Sequence, residues 1–187
     1  MIEPDSWIRE NAEELGVREE NINPASVDVC LGGHIVEFYN GQLEKRFELT
    51  PGEEFKFIKN ALYICHTQEY TKCPKTHAWM MILKSSAGRR GLDHAHSGWG
   101  DPGFEGQVTF EFCCNNEVDF KIGDRIAQLV YMRLTKEPDR AYGETGRYQG
   151  QTGAALARDE KKPECPLLDD SSTKTRHQRG DVASLCG

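Results

Sequence analysis

The residues best suited to chemistry fall between positions 84 and 111. Lys84-Ser85-Ser86-Ala87-Gly88-Arg89-Arg90-Gly91 gathers hydroxyls and cations, and Gly98-Trp99-Gly100-Asp101-Pro102-Gly103-Phe104-Glu105-Gly106 adds glycines and an aspartate. Residues 107–114 then read as a strand. Side chains alternate across a strand, so Val108, Phe110, Phe112 and Cys114 share an apolar face, and Gln107, Thr109, Glu111 and Cys113 share the other. Taken alone, Glu111 is the solvent-facing carboxylate of a half-exposed sheet. Its surroundings point further. Ser85 and Arg89 are four residues apart, so a helical turn opening at Ser85 presents a hydroxyl and a guanidinium from one face. Such a pair suits the orientation of a water and a carboxylate, and a carboxylate so held can carry protons to and from a reacting group. The plainer readings are helix capping for Ser85-Ser86 and a turn for Asp101-Pro102-Gly103, in which proline sets φ and glycine tolerates the reversal of the chain after it.

The scaffold for these groups is made of strands. One good helix is expected near the N-terminus, with Asp5 or Ser6 as cap, Ile8, Ala12 and Leu15 on one face, and Gly16 as a stop. Val27, Val29 and Leu31 then alternate, and residues 34–39 run into Asn40-Gly41, a strong hairpin signal, with Phe47 and Leu49 beyond it. Phe55 and Phe57 alternate, and 61–65, 79–83 and 126–132 are compact apolar runs. Short strands separated by turns imply a mainly β fold, a barrel or sandwich. From residue 158 to 187 the chain is charged or small and polar, so a mobile tail is expected behind a domain of residues 1–157.

Composition narrows the function classes. The 187 residues suit one core. A formal charge of −7 speaks against general nucleic-acid binding. It still allows a small phosphorylated ligand held by local arginines, since screening confines charge effects to about 8 Å at physiological salt. No apolar run approaches the ~20 residues of a membrane span, which predicts a soluble chain without membrane contact. Seven cysteines, an odd number with no signal-peptide pattern before them, read as reduced thiols in the cytoplasm.

Several segments, in order, resemble one family. Ile22-Asn23-Pro24-Ala25-Ser26-Val27-Asp28-Val29 with Leu31-Gly32, Lys84-Ser85-Ser86-Ala87-Gly88-Arg89, Asp101-Pro102-Gly103-Phe104-Glu105-Gly106, Thr109-Phe110-Glu111 and Arg147-Tyr148-Gln149-Gly150-Gln151 look like the successive motifs of dCTP deaminases. The resemblance covers roughly residues 22–153. It implies the distorted β-barrel of the trimeric dUTPase-like superfamily, a homotrimer with active sites between subunits, and a deoxycytidine nucleotide, dCTP foremost, as substrate. Carried over by position, Glu111 would be the general base and acid, with Ser85 and Arg89 positioning it and its water. Asp101 and Thr109, with the adjacent Phe110, would line the base and sugar pocket, and Lys84 and Ser86 would complete the nucleotide-binding set. Tyr142, Arg147 and Gln151 would engage the nucleotide from a closing C-terminal segment.

The chain departs from the family pattern at three points. Lys84 stands where arginine is usual, exchanging a planar fork for a point charge. The loop over residues 92–98 is one residue short, and Gly100 replaces an apolar residue. Zinc deaminases carry H-x-E and P-C-x-x-C motifs; neither occurs here, and the spacings of His94 with His96 and of Cys113 with Cys114 do not suit a tetrahedral zinc site. No zinc is expected. The two histidines read as a polar loop, and Cys113 and Cys114 as one pocket-side and one core residue. Magnesium is expected through the substrate's phosphates. Two rival readings are a bifunctional enzyme that also hydrolyses dUTP to dUMP and a non-catalytic nucleotide-binding regulator.

Overall fold

Alternating apolar and polar residues build most of the computed structural model, which describes residues 1–95 and 97–158. The tail expected from residue 158 onward lies, apart from Arg158, outside the described residues, as does His96. The N-terminal helix is broken in two, α1 (Asp5–Glu10) and α2 (Ala12–Leu15). At the break the Trp7 carbonyl accepts both from the Asn11 side chain at 2.8 Å and from the Asn11 N–H at 3.2 Å, a cap-like arrangement that ends α1. Pro4, not Asp5 or Ser6, occupies the cap position, its φ of −79° set by the ring. Gly16 ends α2 at φ 68°, as expected, and Ile8 and Leu15 are fully buried.

Among the described residues the rest of the fold is built from twelve strands. They are β1 (Ile22–Asn23), β2 (Ser26–Cys30), β3 (His34–Tyr39), β4 (Gln42–Glu48), β5 (Glu54–Phe57), β6 (Ala61–Lys72), β7 (His77–Leu83), β8 (Leu92–His94), β9 (Trp99–Gly100), β10 (Glu105–Cys114), β11 (Val118–Lys121) and β12 (Arg125–Arg133). Two short helices, α3 (Ser85–Arg89) and α4 (Tyr142–Thr145), lie after β7 and after β12. The strands make three antiparallel ladders, β1-β2-β12-β7-β9, β4-β3-β6-β10-β8 and β5-β11, rather than one closed one. The predicted hairpin joins β3 to β4, with both Asn40 and Gly41 at positive φ, as a tight two-residue turn with matching twist requires. Residues Met1–Ala157 form one compact unit.

Between the ladders lies an aromatic core in which Phe110, Phe112, Phe57, Tyr63 and Tyr131 are fully buried. Strand β6 runs seven residues past the predicted stretch of 61–65, because its polar residues are buried yet bonded. The Thr67 hydroxyl donates to the Glu69 carbonyl at 2.7 Å and accepts from the Val108 N–H at 2.9 Å. That second bond sits at a register shift between Gln107 and Thr109 on β10. Pairing passes from Gln107↔Tyr70 to Thr109↔His66, so the bulge lies on β6, while β10 keeps its alternation and holds Thr109 and Glu111 on one face.

His66 is buried beside the same bulge, with Nδ1 2.8 Å from the Thr67 carbonyl and Nε2 accepting from the His34 N–H at 3.1 Å. These contacts select the neutral ring with its proton on Nδ1. Burial, assisted by the neighbouring His34, holds its pKa below the ordinary histidine value. A depressed folded pKa contributes stability that is complete above the unfolded value of about 6.5 and is lost as pH falls below it toward the folded value. The melting temperature, monitored by circular dichroism, is therefore expected to decline from pH 7 toward pH 5. His66→Gln should flatten that decline, and an unaltered slope in the variant would exclude His66 as its source.

Candidate active site

Strand β10 points Thr109 and Glu111 away from the phenylalanine face and into a cavity of about 390 Å³. Trp79 of β7, Trp99 of β9, Asp101, Phe104, Tyr142, Tyr148 and Gln151 complete most of its wall. The Asp101-Pro102-Gly103-Phe104 turn closes with a Phe104 N–H to Asp101 carbonyl bond of 3.1 Å, and Gly103 adopts φ 86°. That turn is what carries Asp101 to the rim. Trp99 is 59% exposed and donates its indole N–H to Asp101 Oδ1 at 3.0 Å, fixing both side chains. Gly100 is explained by packing: a Cβ there would stand 2.0 Å from the Trp79 ring.

Glu111 is half-buried, its side chain 28% exposed on the cavity wall. The Ser97 hydroxyl donates to its Oε2, and His94 Nε2 lies 3.7 Å from the same oxygen. His94 is buried on β8, against the Phe112 ring, and its Nε2 has no hydrogen-bond partner among the described residues. The expectation of a polar loop at His94 is thereby corrected: strand pairing with β10 buries it beside the carboxylate. Sequence reasoning has little purchase there, since a three-residue strand has too few positions to show a period. Trp99, on the two-residue β9, escapes it for the same reason. Below the turn, burial and then the charge of Asp101 push the Cys73 thiol up to about 12, so it stays protonated. Cys114 is in the core with its thiol likewise pushed up to about 12 by burial, whereas Cys113 is exposed.

The other site residues fall in separate places. Phe110 is stacked on Phe112 in the core, its side chain turned from the cavity. Lys84 and Ser86 border a second, polar cavity with Asn23, Asp28, Arg90, Asp124 and Arg125. There the buried Asp28 accepts from Asn23 Nδ2 at 2.8 Å, from Gln128 Nε2 at 3.1 Å and from Lys84 Nζ, with Arg125 3.8 Å away. Ser85 and Arg89 are exposed on α3 and do not line the Glu111 cavity. Lys84, which caps α3, lies five residues beyond Trp79 on β7, about 16 Å along an extended strand. The trio of Glu111, Ser85 and Arg89 is thus not assembled within one chain.

The closing segment is ordered against β10. Tyr142 packs on Phe104 and accepts from the Tyr148 N–H at 3.2 Å through its hydroxyl. Gln149 donates to the Gly103 carbonyl at 3.1 Å and accepts from the Glu105 N–H at 3.1 Å. Gln151 Nε2 reaches the Thr109 hydroxyl at 3.2 Å, and Arg147 on the same segment is exposed. Among the described residues no three His, Cys, Asp or Glu side chains gather as a metal site.

A mainly β fold that turns a half-buried glutamate and an aspartate-bearing turn into one cavity defines a dCTP deaminase-like class. That family's model matches residues 2–134, and the chain belongs to the family. It is 33% identical over 84% of its length, and 97% of the other's, to a protein of a Sulfurihydrogenibium species named dCTP deaminase, dUMP-forming. An Aquifex aeolicus protein of the same name is 34% identical, over 84% of this chain and 94% of that one. In fold it matches the crystal structure of 2'-deoxycytidine 5'-triphosphate deaminase from Agrobacterium tumefaciens, with a TM-score of 0.60 and 19% identity. That match covers 71% of this chain and 48%, about half, of the other.

Proposed function

We propose that the protein hydrolyses the C4 amino group of dCTP, with Glu111 as the group that moves the protons. The observation that carries this reading is the enclosure of Glu111 with Thr109, Asp101, Tyr142 and Gln151 around one nucleotide-sized cavity. Water must lose one proton as its oxygen bonds to C4 and ring atom N3 must gain one; the C4 hydroxyl then gives up its proton as the C4–N bond breaks and the carbonyl forms, and the amino group, having gained a proton, leaves as ammonia. One carboxylate with a mobile proton can serve each transfer in turn. The Ser97 hydroxyl holds Oε2 of that carboxylate, with His94 3.7 Å away, and in this reading Oε1 serves the reacting atoms. In this reading Asp101, bonded to Trp99, and Thr109, bonded to Gln151, line the base and sugar pocket, and Tyr142 and Gln151 engage the nucleotide.

The phosphates belong with the second cluster, on Lys84, Arg90 and Arg125. Magnesium fits as a companion of the phosphates, whose charge it would neutralise. Asp28 is already saturated by Asn23, Gln128 and Lys84, and Asp124 accepts from the Lys121 N–H at 2.9 Å, leaving few protein ligands for the ion. The separation of Ser85 and Arg89 from Glu111 supports a homotrimer in which one subunit's α3 completes its neighbour's cavity. Exposed Met80, Ile82 and Trp99 beside an apolar groove give that interface its contact face. We place the reaction in the cytoplasm, where the free thiols of Cys30, Cys65, Cys73, Cys113 and Cys114 persist.

The relatives' names favour the bifunctional route over release of dUTP, with Asp101 orienting a second water toward the α-phosphate. Chromatography of dCTP incubated with the enzyme and magnesium decides among the readings. The expected products are dUMP, ammonia and pyrophosphate. Accumulating dUTP would restrict the enzyme to deamination, and unchanged dCTP would leave a nucleotide-binding regulator.

A further inference from the structure

Gln107 stands two residues before Thr109 on the same face of β10 and joins three stretches of chain. Its Nε2 donates to the Gln68 carbonyl of β6 at 3.2 Å, and its Oε1 accepts from the Gly153 N–H at 2.6 Å. Its main chain grips the same incoming segment. The Gln107 N–H donates to the Gln151 carbonyl at 2.9 Å, and the Gln107 carbonyl accepts from Gln151 Nε2 at 2.7 Å. Gln151 Nε2 is in turn the group that reaches the Thr109 hydroxyl in the Glu111 cavity.

The far side of the segment is equally constrained. Gly153 sits at φ 69°, and a Cβ there would come within 2.6 Å of His34 Nδ1. Only glycine lets the chain pass between His34 and Gln107. Residues 148–153, Tyr-Gln-Gly-Gln-Thr-Gly, contain no aliphatic anchor, so hydrogen bonds hold most of the segment in place. Such bonds are individually modest, which allows the segment to open without unfolding the sheet. The primary amide donates on one side and accepts on the other, which neither a glutamate carboxylate nor an apolar residue of similar size can do.

We infer that Gln107 is a positioning residue: it latches residues 148–153 onto β10 and so sets Gln151 and Thr109 against the nucleotide. The effect on nucleotide rests on the deaminase reading, but the latch is measurable without turnover. Tryptic cleavage after the exposed Arg147 should be about tenfold faster in Gln107→Ala than in the unaltered protein, for loss of one or two hydrogen bonds. The KM for dCTP should rise about tenfold on the same grounds, with kcat within about twofold.

Gly153→Ala, which leaves β10 untouched, should reproduce both effects, and it stands in should Gln107→Ala fail to fold. Wild-type cleavage rates and KM in either variant would overturn the inference, as would a fall in kcat at constant KM. An unaltered protein inert toward dCTP would defeat the deaminase reading, while the cleavage rates would still decide the latch.

Discussion

Glu111→Gln is expected to lower dCTP deamination by roughly 10²–10⁴-fold, the usual worth of a positioned proton carrier, while leaving the fold intact. The amide keeps the volume of the carboxylate and an oxygen that can accept from the Ser97 hydroxyl, so the one strong contact of Glu111 survives. The stability cost should stay near ~1 kcal/mol, as for a single exchanged hydrogen bond. What the amide cannot do is take the proton from water and return it to N3. The loss should therefore appear in kcat more than in KM, since the cavity of Trp79, Phe104, Tyr142 and Gln151 is unchanged. Steady-state ammonia release and thermal unfolding of the same preparation test both halves. A variant that retained turnover would remove Glu111 from the chemistry and return it to the role of a strand carboxylate. Glu111→Asp should fall between, because a chain shorter by one methylene withdraws the oxygen from both Ser97 and the reacting atoms.

How far the site is legible in the sequence depends on the range of the interactions that form it. The two faces of β10 can be read because strand periodicity is local and Phe110 and Phe112 mark one side clearly. The hairpin at Asn40-Gly41 and the stop at Gly16 are equally local, being matters of φ. The break in the N-terminal helix is not legible, because an asparagine at the eleventh position satisfies a helical template until its side chain and its N–H both close on the Trp7 carbonyl. His94, Ser97 and Gln107 lie beyond reach for a different reason. Their importance arises from pairing with strands far along the chain, and nothing in their immediate neighbours announces it. The motif resemblance supplies Ser85 and Arg89, but one chain does not bring them to Glu111.

Mixing two inactive variants should restore activity if that gap is closed by a neighbouring subunit. Arg89→Ala removes the cation on exposed α3, and Glu111→Gln removes the carboxylate in the cavity, so each homotrimer should be nearly inert. In trimers assorted at random from equal amounts, a site is whole only when its cavity comes from an Arg89→Ala chain and its α3 from a Glu111→Gln chain. Cyclic symmetry gives every cavity one α3 donor, so about one quarter of sites should be restored, and with them about one quarter of wild-type turnover. The variants should be co-refolded or co-expressed under separate tags, so that subunits exchange before the trimer closes. Turnover by the mixture that did not exceed the sum of its parts would mean that Arg89 and Glu111 act in the same chain or that Arg89 has no part in the site. Size-exclusion with light scattering separates those outcomes from a failure to trimerise.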